Sequence, residues 1–208
     1  AWDISTASYA SKSVNVSAQE RTVLGIHFKT DGTKLYVIGI DGDDVNQYSL
    51  STAWDVSTAS FDSVTFSVSS ETTAPASVWF NTDGLTMFVL ANGGTYADSV
   101  IQYDLTTAWD LSTASFSASF SIASQELAPE GLAFSADGTK MYMVGAVNQT
   151  IYQYSTAVAT TLTWPSLIEW AGGVAPSAPA TGETDVFTLS TDDGGTSYVG
   201  VKTADNLS

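Results

Sequence analysis

The side chains in this sequence that could do chemistry are 22 acids, 6 tryptophans and one histidine; cysteine is absent. Without Cys there are no disulfides, thiolate metal sites or cysteine nucleophiles, and the redox compartment stays open. His27 is the only imidazole available as a general base, and no Gly-x-Ser-x-Gly elbow accompanies it. Flanked by Ile26 and Phe28, it points to the strand face opposite theirs, which suits packing or surface better than catalysis. Asp41, Asp43 and Asp44 crowd one short turn. Calcium, which takes six to eight oxygens, is an allowed ligand there, although the order lacks the spacing of an EF-hand and a solvated turn competes. Asp192-Asp193 reads the same way. Glu20, Glu71 and Glu126 recur once per repeat, and Tyr96 and Asp98 lie in a longer loop, Asn92 to Asp98. These five form the candidate ligand-binding set. Glycoside hydrolysis would need two carboxylates ~5–10 Å apart across a substrate, and nothing in the spacing provides them, so a non-enzymatic protein is expected.

The elements that position these residues come in threes. Ala1-Trp2-Asp3-Ile4-Ser5-Thr6-Ala7-Ser8 returns at Ala53 to Ser60 and at Ala108 to Ser115, with Trp spacings of 52 and 55 residues. Phe28-Lys29-Thr30-Asp31-Gly32, Phe80-Asn81-Thr82-Asp83-Gly84 and Phe134-Ser135-Ala136-Asp137-Gly138 keep step, as do Gln47-Tyr48, Gln102-Tyr103 and Gln153-Tyr154. Runs of Val, Ile, Phe, Tyr and Thr broken by Asp-Gly and Ser-rich turns predict four short strands per unit. In the first unit these fall at Ser13–Ser17, Val23–Phe28, Lys34–Ile38 and Val45–Leu50. From the strand-three Gly or Ala to the Gln of each Gln-Tyr pair the count is 8, 11 and 8 residues, so the middle unit carries a three-residue insertion. Loops on one edge of a repeat protein often do the recognising. Trp2, Trp54 and Trp109 sit in the connections between units. There a ring can seal the gap while its Asp caps a turn, or can offer a face to a sugar.

The net charge of −16, with only 6 basic residues, argues against nucleic acid and anionic membranes as partners. No stretch approaches the length of a spanning helix, so a soluble chain without membrane insertion is expected. The chain does not open on Met or on a signal-like segment, and a processed or partial chain is expected.

The Phe-x-x-Asp-Gly-x-x-apolar-aromatic hairpin resembles the second and third strands of TolB-like and YVTN-type β-propeller blades, over residues 1–155. The fold class implied is all-β, with three propeller-like repeats (about 1–52, 53–107 and 108–155) and a small C-terminal β-module at 156–208. Three blades fall short of the ~4–8 of a closed propeller, so completion by further copies or by upstream sequence is expected. Trp164-Pro165, Trp170-Ala171-Gly172-Gly173, Thr181-Gly182 with Asp185-Val186-Phe187-Thr188, and the glycine turn before Tyr198 resemble the C-terminal segment of tail-fibre proteins of marine and cyanobacterial tailed phages. That resemblance implies a virion appendage outside the cell, often trimeric. It would bind other copies of itself, other virion proteins and a host surface glycan or protein by multivalent contact. A bacterial secreted or cell-surface propeller is the alternative, and a lactonase-like or glycan-cleaving propeller a further one.

Overall fold

The computed structural model describes residues 4–156, 168–170, 184–191 and 198–207. The chain divides into two compact units, Ala1–Thr156 and Ala157–Ser208. In the first unit, β1 (Val23–Phe28), β2 (Lys34–Gly39), β3 (Asp44–Leu50) and β4 (Ala59–Ser67) form one antiparallel meander. A second is formed by β5 (Pro75–Phe80), β6 (Thr86–Ala91), β7 (Ser99–Leu105) and β8 (Ala114–Ser121). The third has three strands among the described residues, β9 (Pro129–Phe134), β10 (Lys140–Gly145) and β11 (Ile151–Ser155). The only helical pieces described are three-residue 3₁₀ turns, two of them in the connections at Val56–Thr58 and Leu111–Thr113. The architecture is all-β and propeller-like.

The sequence repeat and the sheet are out of phase by one strand. Ser13–Ser17, expected as the first strand of the first sheet, is not a strand. Instead the chain leaves β3, passes through the Ala-Trp-Asp connection and returns along the strand it has just left, pairing Tyr48 with Phe61 and Ser49 with Ser60. The same return pairs Tyr103 with Phe116. The second and third Ala-Trp-Asp motifs therefore each introduce the last strand of the preceding sheet. Antiparallel return onto the preceding strand is the most local pairing available, and the sequence marker lies before it.

The middle sheet is apolar on both faces because it is stacked between the other two. Along β2, Leu35 and Val37 join Tyr48 and Leu50 on one face. Tyr36 and Ile38 point the other way, into a core with Val78, Phe80, Met87 and Val89 of the second sheet. Alternation repeats on β6, whose Leu90 joins Leu132, Met141 and Met143 of the third sheet.

Gly32, Gly84 and Gly138 of the Asp-Gly turns all have φ near +70° (73°, 74° and 71°), which L side chains adopt only with strain. A Cβ on Gly84 would sit inside the Trp109 indole, whereas one on Gly138 meets nothing. Gly138→Ala is therefore expected to cost about 1–2 kcal/mol from the backbone alone. Gly84→Ala should cost clearly more, a difference that paired denaturant titrations read out directly.

In the second unit, β13 (Thr184–Ser190) and β14 (Tyr198–Leu207) form an antiparallel hairpin, and β12 (Ile168–Trp170) adds parallel to β14 with Ile168 opposite Tyr198. The hairpin lies within the small C-terminal β-module expected at 156–208, whereas β12, of three residues, carries no period that would announce it. Asp192, Asp193 and Trp2 lie outside the described residues.

Candidate functional site

The loops at one end of the sheets hold most of the acids expected to bind. Glu20 and Glu126 are structurally equivalent, and both are buried. Each follows a tight turn closed on the preceding apolar residue, Val16 or Ile122, by a backbone bond from the Glu N–H. The carboxylate of Glu126 accepts from the N–H groups of Leu127, Ala128, Val147 and Asn148 at 3.0–3.2 Å. Burial opposes the charge, but these four donors outweigh it and hold the group below the usual carboxylate range. Glu20 does the same work more sparsely, accepting from Thr22 at 2.7 Å and Asp41 at 3.2 Å. Both acids are buried and tie a loop to the sheet.

Glu71 is not their counterpart; the turn places Thr72 there, also buried. Its hydroxyl donates to the carbonyl of Gly93 at 2.8 Å and accepts from Ala74 N–H at 3.1 Å. The swap has a steric signature in the sequence. Gly39 and Gly145 leave no room for a Cβ because Glu20 and Glu126 press on them, whereas Thr72 shares its repeat with the Ala91 found at the same position. The shorter Thr accompanies the longer loop, whose Gly93 comes down to meet it.

The structure does not gather Asp41, Asp43 and Asp44 into a group that could hold calcium. Asp41 turns to Arg21 Nε at 2.8 Å and Thr22 Oγ1 at 3.1 Å, and these partners keep its pKa low. Asp44 accepts from Asn46 at 2.6 Å, with burial raising its pKa. Asp43, at φ 49°, uses its backbone carbonyl to receive Val68 N–H at 2.8 Å. No group of three or more such side chains among the described residues could hold a metal ion. After burial, the charges of Glu20 and Asp43 also raise Asp44, so these acids are neighbours, while Asp41 and Asp44 turn to separate partners.

The middle repeat gathers a different constellation. Tyr96 stacks on Phe116 with centroids 5.4 Å apart and planes at 14°, and Phe116 is exposed. The carbonyl of Glu71 accepts from Tyr96 N–H at 2.9 Å, and its carboxylate accepts from the Tyr103 hydroxyl at 3.1 Å. Asp98, at φ 50°, is half-buried, and burial followed by the charge of Glu126 raises its pKa. Tyr96 and Glu71 thus come together as a flat aromatic ledge beside an acid, while Asp98 belongs to the neighbouring turn. Phe116 and Tyr103 were not singled out from the sequence. Their signal was present in the recurring Ala-Ser-Phe after each connection, at Phe61 and Phe116, and in the Gln-Tyr pair.

Trp109 takes the sealing role expected of the connections, whereas Trp54 leans on Phe28 and Gly32 and stays exposed. Trp109 lies between sheets, 5.3 Å from Phe80 and 6.3 Å from Tyr36, and its carbonyl accepts from the Tyr36 hydroxyl at 2.6 Å. Asp55 and Asp110 cap the 3₁₀ turns that follow, accepting from Ser57 and Ser112 N–H. His27 packs among Trp79, Phe80 and Trp109 at 5.2, 5.5 and 6.3 Å. Burial lowers its pKa to about 4.

No protein-family description and no curated protein matches this chain. Solved structures do. A candidate 6-phosphogluconolactonase from Bacteroides uniformis ATCC 8492 is similar at 11% identity and a TM-score of 0.51, covering 66% of this chain and 38% of its own. A functionally unknown protein from Desulfotomaculum acetoxidans DSM 771 is similar at 18% identity and a TM-score of 0.50, covering 70% and 41%. The β-propeller domain of Myceliophteria thermophila Cps50 (Swd1) is similar at 15% identity and a TM-score of 0.43, covering 64% and 39%. This chain therefore spans about two fifths of the length of these structures. At such identities the likeness to the first two is one of fold, and the stacked antiparallel meanders are those of a propeller-like repeat protein.

Proposed function

We propose that this protein is a non-enzymatic adhesive component of a bacteriophage particle, a tail fibre or similar appendage, that contacts a host surface glycan or protein through the loop face of its middle repeat. The observation that carries the binding role is the Tyr96–Phe116 ledge beside Glu71, carried by the one loop that is three residues longer than its siblings. Stacked aromatic faces suit the apolar face of a pyranose, and an acid beside them accepts sugar hydroxyls. The virion setting rests on the tail segment from Thr163 to Val201, which resembles phage fibre ends. Two features favour binding over catalysis: the half-buried His27 packs against aromatic rings, and Glu20 and Glu126 are spent on backbone amides. Contacts of this kind are weak singly and gain strength from repeated copies.

An array of bacterial surface polysaccharides probed with the full chain is expected to give binding that Tyr96→Ala weakens about ten-fold, a loss of about 1.4 kcal/mol. Unchanged binding by that variant would move the contact elsewhere. Turnover of a bound saccharide or of a lactone would refute the non-enzymatic reading, and antibody to the chain that fails to label purified tailed particles would refute the setting.

A further inference from the structure

The connection-and-strand module is seen twice in place, as residues 53–68 and 108–122, and once without its sheet, at the N-terminal end of the chain. Residues 7–16 match 59–68 at a constant offset of 52, so that Tyr9 corresponds to Phe61, Val14 to Phe66 and Val16 to Val68. The local conformation matches as well. Ser11 and Ser63 both sit at φ 58°, the left-handed residue of the β4 irregularity, and Val16 and Val68 close the same turn. Val14 and Val16 pack on the face of the first sheet carrying Leu35 and Val37, as Val64 and Phe66 of β4 pack toward the second sheet. This segment is shaped and seated as the fourth strand of a sheet whose other three strands are not among the described residues.

The third sheet shows the reciprocal gap, because no described strand pairs with the outer edge of β11. Ile151 is 73% exposed, whereas its equivalents Val45 and Val100, each covered by a fourth strand, are 0% and 5%. The faces agree with the edges. Ile26 is 58% exposed, whereas its equivalent Val78 is 2%, buried under the preceding sheet. An apolar cleft of about 310 Å³ lies beside Ile26, lined also by Val14, Val16, Phe28, Leu35 and Val37. On the third sheet Val144 is exposed where its equivalent Ile38 is buried. Trp54 is 60% exposed and Trp109 7%. What covers Trp109 is the preceding sheet, through Tyr36, while Gln47 accepts from Leu111 N–H at 3.0 Å. The third sheet carries the same pair as Tyr142 and Gln153.

We infer that a second copy of this chain fills both gaps: the third sheet of one copy packs on the first sheet of the other, and the N-terminal segment of that other copy pairs with β11 as the missing fourth strand. The interface already present twice within the chain simply continues into the partner. Val45 pairs with Phe66 and Ser49 with Ser60, so Ile151 meets Val14 and Ser155 meets Ser8 across the two copies. Tyr142 then donates to the Trp54 carbonyl, and Gln153 accepts from Val56 N–H. The contact is head-to-tail, so it closes only as a ring. The first unit holds three sheets among the described residues, and two such units together hold six, within the ~4–8 sheets that close a propeller. This assembly, in place of the trimer implied by the fibre resemblance, does not depend on the binding role proposed above.

The chain has no cysteine, which makes the test clean. Ser8→Cys and Ser155→Cys, both at exposed positions, are prepared separately in the full chain, mixed and oxidised. The expected product is a disulfide-linked pair containing one of each variant, while unsubstituted protein runs at twice the mass of one chain by light scattering. Ile26→Asp and Ile151→Asp, exposed in a single copy, are expected to leave the circular dichroism unchanged and to shift the protein to one copy, weakening association at least about ten-fold. A monomer or trimer of the unsubstituted chain, a mixture that does not cross-link, or an Ile26→Asp protein that still pairs would overturn the assignment.

Discussion

Replacing Trp109 by alanine is expected to destabilise the repeat unit by about 3–5 kcal/mol, the range for deleting a large buried aromatic. The ring is wedged between two sheets, stacked on Phe80 and close to Tyr36 and His27. It also covers Gly84, and its backbone carbonyl is the acceptor for the buried Tyr36 hydroxyl. Truncation leaves a cavity at the joint that rigid strands on both sides cannot close. Since domains of this kind have only about 5–15 kcal/mol in total, the loss would be visible as a large fall in the denaturant midpoint. Trp54→Ala removes the same residue from the same motif, yet should cost far less in an isolated copy because most of that ring faces water. The two costs should converge only where a second copy covers Trp54, so the comparison is made at low and high protein concentration. A cost below about 1 kcal/mol for Trp109→Ala would show that the connections do not hold the sheets together.

The contrast between the two tryptophans also shows what the sequence could and could not convey. Spacing revealed the repeat, the Asp-Gly turns and three strands of each sheet in the first unit, because those depend on alternation and on glycine at positive φ, both local. It misassigned the fourth strand, because Ala-Trp-Asp opens each sequence unit while the strand after it pairs backwards. Nothing in the order of residues distinguishes a strand that begins one sheet from a strand that finishes another; only the register of Tyr48 on Phe61 does. The same blindness explains the acids. Glu20, Glu71 and Glu126 looked equivalent at similar spacing, but a shift of one residue decides whether a side chain lies under the loop on backbone amides or beside it. The signal that would have separated them was the partner position, Gly at 39 and 145 against Ala at 91, since only a Glu beneath excludes a Cβ there. The ledge of Tyr96 and Phe116 joins residues from a loop and from a strand of the next sequence unit, so no local motif could show it.

Stability should also fall as the pH drops from about 6.5 toward 4, with a step that belongs to His27. Its imidazole is held among Trp79, Phe80 and Trp109, and burial lowers its pKa from 6.5 to about 4. Between those limits the unfolded chain binds a proton that the folded chain refuses, so unfolding becomes easier as protons become available. The contribution is fully present above 6.5, declines through the window and changes no further below about 4, where both states are protonated. A shift of that size corresponds to at most roughly 3 kcal/mol, less to the extent that water reaches the ring. Carboxylates complicate the lower end: Asp137, held at about 2 by Ser135 and Thr139, loses its contribution as the pH falls from the ordinary carboxylate range toward 2. Raised groups such as Asp44 and Asp98 act in the opposite sense. The His27→Phe variant removes only the histidine step, so the difference between its stability curve and that of the parent isolates it. Chemical denaturation at intervals from pH 7.5 to 3.5 should give a difference that is flat above 6.5, slopes through the window and levels again. Parallel curves across the whole range would mean that the imidazole takes up its proton in place, with water or a carboxylate reaching it among the three rings.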